Sequence, residues 1–229
     1  LYQNRIGKPY GQLFGLEALG LFQSQEEIDN SPTQSFGAVR VGDIKYNDIN
    51  GDGLINEEDV VAIGHSNIPK INYGFGGTLQ WKGIDVSVFF QGISKVSYFL
   101  SGNSIYGFNS GSLTRAAINE DVYLNRWTEN NPNAKYPRLD SNANTNNNRN
   151  STFRMIDGSF LRFKNAEIGY TFPKKMLNGT FLKTVRVYAS GVNLLTFSNF
   201  KLWDPEQGGG EGAGYPPSRI FNVGLNVNF

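Results

Sequence analysis

Between Asn47 and Val61 the sequence reads NDINGDGLINEEDVV, and its oxygen-bearing residues fall at the spacing that a hard cation needs. Asp48, Asn50 and Asp52 take positions 1, 3 and 5 of a twelve-residue loop, and Gly53 supplies the sharp turn at 6. Leu54 offers its carbonyl at 7, Asn56 stands at 9, and Asp59 closes the loop at 12. Alternate spacing lets these oxygens converge on one Ca2+, while Ile55 can anchor the loop in a core. The closing Asp is one methylene shorter than the Glu usual at that position, so bidentate closure is harder. The same side chains also suit an Asx-rich turn that binds nothing, and both readings stand. A single loop without a paired second one fits a structural clip of weak affinity, roughly 10⁻⁴–10⁻³ M, better than a switch.

Other chemistry finds less support. The carboxylates of the loop could serve as an acid–base pair for glycoside cleavage, but the metal pattern uses them up and no other close pair stands out. His65 is the only histidine and cysteine is absent. A Ser-His-Asp site, a histidine metal site, a thiolate site and disulfides are therefore not expected, and His65 is read as an ordinary loop residue. No enzyme is expected. Aromatics in the polar stretches could stack on sugars or pack peptides: Tyr98, Phe99, Phe108 and Tyr136, and as the named substrate-contact candidates Tyr106, Trp127, Trp203 and Tyr215. The plainer reading is that they hold their own loops together.

The elements that must carry these residues are strands. The strongest regularity has period two. In INYGFGGTLQW (71–81), Ile71, Tyr73, Phe75, Leu79 and Trp81 alternate with Asn72, Gly74, Gly76, Thr78 and Gln80. After Lys82-Gly83, a second segment (84–93) puts Ile84, Val86, Val88 and Phe90 opposite Asp85, Ser87 and Gln91, with Phe89 interrupting the polar face. A third (159–172) changes phase between Phe163 and Ala166, which predicts a bulge near Asn165. A fourth (184–193) and a fifth (219–229) follow, the last alternating from Phe221 to Phe229. The polar faces are Asn, Gly, Ser, Thr and Gln rather than the Lys and Glu of a soluble exterior. Trp81, Tyr170, Phe172 and Phe229 sit near strand ends, as an aromatic girdle would.

Composition bounds the class. Lys and Arg total 21 against 20 Asp and Glu, and they are scattered, so no nucleic-acid partner is expected. No apolar run reaches the roughly 18 residues of a membrane helix, and no signal peptide is visible. A membrane barrel is not excluded, since its strands need only about 9–11 residues. The connections point that way. Residues 82–83 and about 173–183 are short; residues 94–158, with the Asn-rich NANTNNNRN, and 194–218, with the Gly-rich DPEQGGGEGAGYPP, are long. Long connections alternate with short ones, so they gather at one end of the sheet, the asymmetry of outer-membrane barrels. Five strands cannot close in lipid, so the chain is expected to be the last part of a larger barrel.

Several stretches in this order resemble SusC/RagA-type TonB-dependent transporters: IGKPYGQLFGLEALGLFQSQEEID, VGDIKYNDINGDGLINEEDVVAIGHSNIPKINYGFGGTLQWKGIDVSVFFQG, DGSFLRFKNAEIGYTFPKK, VRVYASGVNLLTFSNF and DPE. The resemblance implies an all-β fold, the C-terminal five strands of a 22-stranded antiparallel barrel with a plugged lumen. Residues 1–70 would be an extracellular region carrying the EF-hand- or dockerin-like loop 48–59, and the C-terminus would be periplasmic. It implies import of oligosaccharides or peptides beneath a SusD-like surface lipoprotein, energised through TonB, with the wall against outer-membrane lipid. Phe229 resembles the terminal signal read by the barrel assembly machinery. The leader, plug and TonB-contacting segment are not in this sequence, so transport by this stretch alone is not expected. The competing reading is a calcium-binding surface β-protein, an adhesin or carbohydrate-binding module without transport.

Overall fold

A computed structural model describes residues 5–107, 117–141 and 143–229. Six short strands come first: β1 (Gln12–Gly15), β2 (Ala18–Leu21), β3 (Thr33–Gln34), β4 (Ile44–Tyr46), β5 (Leu54–Ile55) and β6 (Val61–Ser66). Two long strands follow, β7 (Ile71–Trp81) and β8 (Ile84–Ser94). β9 (Ser97–Phe99) and β10 (Met155–Asp157) bracket the first long connection, and β11 (Phe160–Thr171), β12 (Thr184–Phe197) and β13 (Ile220–Asn228) complete the chain. The helices are single turns: α1 (Gln25–Asp29), α2 (Asn103–Tyr106), α3 (Glu120–Leu124) and α4 (Lys174–Leu177).

The chain divides into two compact units. One contains Leu1–Ile68, Lys95–Gly158 and Gly208–Ala213. The first 68 residues thus share a unit with the long connection after β8 rather than standing as a region of their own. The reason lies in packing: Leu16, Leu21, Ile44, Tyr46, Ile55 and Val60 form a buried cluster, and Trp127, Ala134 and Phe153 from the connection pack on it. The strand pairs β1–β6, β2–β4 and β3–β5 are too short to fold unaided, so this shared core holds them.

A buried polar network fixes the same unit. Asp43 is fully buried. Its Oδ1 accepts from Arg138 Nε at 2.8 Å, Asn144 Nδ2 at 3.0 Å and Asn147 Nδ2 at 2.8 Å, and its Oδ2 accepts from the Arg40 amide at 2.8 Å. Asn146, also fully buried, accepts from Gln34 Nε2 at 2.8 Å, and its carbonyl accepts from the Tyr46 hydroxyl at 2.8 Å. Asn146 and Asn147, the middle of the Asn-rich run, are therefore core. Carboxamides both donate and accept, so they satisfy buried backbone groups that apolar side chains would orphan.

The second unit holds Pro69–Ser94, Ser159–Gln207 and Gly214–Phe229, and its centre is one antiparallel sheet in the order β13-β12-β11-β8-β7. Lys82 (φ 48°) and Gly83 (φ 90°) make the tight hairpin turn between β7 and β8, the primed type that matches strand twist. The predicted bulge is present: the register of β11 shifts between Phe163 and Asn165 against both neighbours. β12 runs to Phe197, four residues past the expected end at Asn193. Asn193 takes a positive φ of 55° inside the irregular stretch between Val192 and Leu195, and beyond it Leu195 and Phe197 stand on the apolar face with the same odd parity as Val187, Ala189 and Gly191. A strict period-two reading stops at such a bulge.

Candidate functional site

Register converts the alternation into two faces. Directly opposed residues share a face, which gives the rows Trp81–Ile84–Tyr170–Val187–Leu225, Leu79–Val86–Ile168–Ala189–Val223 and Gly77–Val88–Ala166–Gly191–Phe221. Beyond the bulges, Phe75–Phe90–Phe163–Leu195 and Tyr73–Gly92–Leu161–Phe197 continue the same face. Phe75, Phe90 and Phe163 stack across three strands at 5.1 and 4.7 Å between centroids. No charged residue stands in any of these rows. Their side chains are widely exposed, for example Leu79 at 71% and Val223 at 88%. From the Tyr73 row to the Trp81 row is eight residues, about 27 Å along the strand. At the usual barrel tilt that is roughly 20 Å of height, close to the ~25 Å apolar band of a membrane barrel.

The opposite face carries the charge. Arg186 on β12 reaches Asp85 on β8, with Nε 3.0 Å from Oδ1 and Nη2 bonded to Oδ2, and the same Nη2 lies 2.7 Å from Glu167 Oε1 on β11. The guanidinium crosses β11 at Gly169, where a Cβ would stand 2.2 Å from Nη2. That missing Cβ allows one arginine to tie three strands. Phe89, the residue that interrupts the polar alternation, lies over Gly74 and Gly76 in the same manner. Toward the long connections, Arg162 Nη2 bonds Asp204 Oδ1 at 2.6 Å and approaches Glu206 at 3.3 Å. The Asp204-Pro205-Glu206 stretch is thus the tether of the Gly-rich connection to β11, and Arg162 is almost fully buried.

The loop 48–59 closes on its own amides. Asp48 Oδ1 and Oδ2 accept from Gly51 and Gly53 at 2.8 Å each, and Asp52 Oδ1 accepts from Leu54 at 2.8 Å. Asn50 Oδ1 accepts from Asp52 at 3.0 Å and Asn56 Oδ1 from Glu58 at 2.6 Å. Asp59 is buried, its Oδ1 accepting from Ile49 and its Oδ2 from Asn56, both at 2.8 Å. Gly53 turns at φ 82° as position 6 requires, and Ile55 enters the core. Among the described residues no three His, Cys, Asp or Glu side chains gather to hold a metal. The expected ligands Asp48, Asn50, Asp52, Leu54, Asn56 and Asp59 share one loop, and the side-chain oxygens among them accept from the loop's own amides.

The aromatic candidates are mostly structural in their contacts. Tyr106 is half-buried, with the Arg154 guanidinium 5.0 Å from its ring centroid, and burial pushes its hydroxyl pKa up. Trp127 lies against Gly42, where a Cβ would stand 2.4 Å from the indole, and packs on the core cluster. Tyr136 is buried and donates to Asp121 at 2.7 Å, while Tyr98 covers Gly158. Trp203 meets Phe200 edge to face at 4.9 Å. Tyr215 is 91% exposed. Tyr106 and Trp127 belong to one unit, Trp203 and Tyr215 to the other; Phe108 lies outside the described residues. His65 is in strand β6, not a loop, because β6 pairs with β1; its amide donates to Ser97 Oγ at 3.0 Å. Sequence reasoning missed the Arg186 and Arg162 clusters, whose partners stand up to 101 residues away in the chain.

No family model matches the chain. Among curated proteins it is 35% identical over 98% of its length to TonB-dependent receptor P26 of Formosa agariphila, and 30% identical over 98% to TonB-dependent receptor P3 of the same organism. The chain belongs to the TonB-dependent receptors. It spans about a quarter of those relatives' length, 23% of each. Its fold matches two solved structures of the RagAB peptide transporter. One is an open-open state at TM-score 0.67 and 23% identity, the other at 0.69 and 24%, each covering 95% of this chain and 22% or 23% of the other. The family accounts for the two-faced sheet, which is a stretch of outer-membrane barrel wall, and for strands in place of helices: no helix among the described residues is long and apolar enough to cross a membrane. Its relatives are receptors and transporters, not enzymes.

Proposed function

We propose that this chain forms five strands and two surface connections of an outer-membrane transporter for large nutrients, peptides or oligosaccharides. The observation that carries this reading is the sheet itself: an uncharged apolar face, a polar face with clamped charges, and long connections gathered at one end. Both outer strands, β7 and β13, pair on one side only, and lipid tolerates no open edge. The remaining strands and a plug are therefore to be supplied by the rest of the receptor, which the relatives' length supports. The long-connection end faces outward and the hairpin end faces the periplasm. The packed loop unit is the surface on which a lipoprotein lid of SusD type closes, with TonB supplying the energy. RagAB, a peptide importer, supports the peptide arm of the reading.

The test is uptake by cells carrying or lacking the receptor gene. Labelled oligopeptides and oligosaccharides are supplied in parallel, with and without a protonophore, and the receptor is purified gently to identify a co-purifying lipoprotein. Uptake that persists without the receptor, or that ignores the protonophore, would overturn the reading. Calcium in the loop 48–59 belongs to the same proposal as a structural ion. The carboxylates of Asp48, Asp52 and Asp59 keep lone pairs beyond those that accept the loop amides, and a single unpaired loop of this kind fits the weak extracellular class.

A further inference from the structure

At the hairpin end the apolar face finishes in a rim of aromatic and lysine side chains. Trp81 ends β7. Tyr170 and Phe172 meet edge to face at 5.2 Å, and Phe181 meets Phe229 at 6.4 Å. Phe229 keeps the parity of Leu225 and Val227, so Phe181 prolongs the apolar face past the last strand pair. Phe181 is 81% exposed and Met176 65%. The segment from Phe172 to Lys183 reads FPKKMLNGTFLK, with three lysines and no acid. Lys174, Lys175 and Lys183 are exposed, and Lys82 stands 4.8 Å over the Trp81 ring. None of the four makes an ion pair with a described residue. The carboxylates nearest in register, Asp85 and Glu167, lie on the opposite face and are held by Arg186.

Four unpaired ammonium groups bordering an apolar face match one ligand chemistry, an acyl chain joined to an anionic headgroup. Lysine stems lie along apolar surface while the ammonium reaches headgroup level, and aromatic rings prefer that depth. Just inside the rim is a shallow apolar groove of about 460 Å³, lined by Ile84, Ile168, Tyr170, Val187, Ala189 and Val223. A chain can lie there with its headgroup among the lysines. We propose that this rim binds anionic glycerophospholipid, resting on the barrel reading above, with phosphate on Lys82, Lys174, Lys175 and Lys183 and acyl chain in the groove. The occupant is a phospholipid of the periplasmic leaflet, because in that reading the hairpin end lies there, away from the lipopolysaccharide leaflet.

The experiment uses the intact receptor purified from outer membranes in mild detergent. It is exchanged against phosphatidylglycerol or phosphatidylcholine of the same acyl chains, and retained lipid is counted by native mass spectrometry. Expected is a preference of about ten-fold or more for phosphatidylglycerol, falling stepwise as the lysines are changed to glutamine and reduced to near-equal retention of the two lipids in the quadruple variant. F181S with M176S lowers retention of both lipids without abolishing the preference. Equal retention of the two lipids by the wild-type receptor overturns the proposal with no variant needed. So does a preference unchanged in K82Q/K174Q/K175Q/K183Q, or phosphatidylglycerol displaced by purified lipopolysaccharide at equal concentration. A receptor that does not assemble into a heat-modifiable barrel would sink the barrel reading and this proposal together; an assembled receptor without lipid preference sinks this proposal alone.

Discussion

Val88 and Ser87 are neighbours on β8 and stand on opposite faces, so one substitution placed at each separates a lipid-facing wall from any other two-faced sheet. Val88 opposes Gly77 and Ala166, in the middle of the apolar face, four residues or about 13 Å along the strand from Ile84. An arginine there has no acid among its opposed residues and sits near the centre of the apolar band. The cost at a barrel midplane is about 2–4 kcal/mol, which lowers the folding equilibrium about 30- to 900-fold. Ser87 opposes Thr78 and Glu167. An arginine there meets polar groups and a carboxylate, and the change is expected within about 1 kcal/mol. The assay is denaturant titration of the receptor folded in lipid vesicles, followed by gel mobility of the heat-modifiable form. Equal costs for V88R and S87R, or a larger cost for S87R, would refute the assignment of the faces.

Asp43→Ala removes the acceptor for four donors, of which Arg138 keeps its ion pair with Asp140 at 2.6 Å while the buried Asn147 carboxamide loses its acceptor. A loss of about 2–3 kcal/mol is expected for that unit, read as faster amide exchange across residues 34–46 and 144–154 while the sheet strands stay protected. Bonds from Lys135 and then Tyr136 hold the Asp121 carboxyl below its ordinary value of 3.8. Because the folded value is the lower one, the stabilisation is complete above the unfolded value and is lost as pH falls through the folded one. Exchange at residues 120–136 should therefore rise as the medium is taken below about pH 4, and Asp121→Asn should show the faster exchange already at pH 7 with no further acid response. Calcium at millimolar levels should slow proteolysis of the 48–59 loop relative to chelator, and Asp59→Ala should abolish that difference. Identical cleavage rates in calcium and chelator would remove the metal.

The sheet was legible because each strand is its own pattern. Period two, the two-residue turn at Lys82-Gly83 and the phase change near Asn165 are local signals that register then places side by side. The end of β12 was misjudged because Asn193 looks like the end of a strand when it is a bulge inside one. The loop unit was much less legible. Asn144, Asn146 and Asn147 read as a polar, low-complexity run, yet they are the donors and acceptors that bind Asp43, Ile44 and Tyr46 from about a hundred residues earlier. Nothing local distinguishes a buried carboxamide from a solvated one. For the loop 48–59, alternate acidic spacing is the pattern of a calcium site and of consecutive Asx turns alike, and in this structure the amides take the oxygens. Arg186 with Asp85 and Glu167 was hidden for a simpler reason: cross-strand partners become visible only when strand order and register are known.

The most direct measurement of the barrel wall exploits the absence of cysteine from this stretch. Single cysteines are placed one at a time from Ile84 to Gln91 in the assembled receptor. Each is labelled with a small fluorophore and exposed to brominated lipid or to an aqueous quencher. The account predicts strict alternation, with positions 84, 86, 88 and 90 quenched by lipid and 85, 87 and 91 quenched, if at all, only from water. Aqueous quenching of both parities, or lipid quenching without alternation, would contradict it.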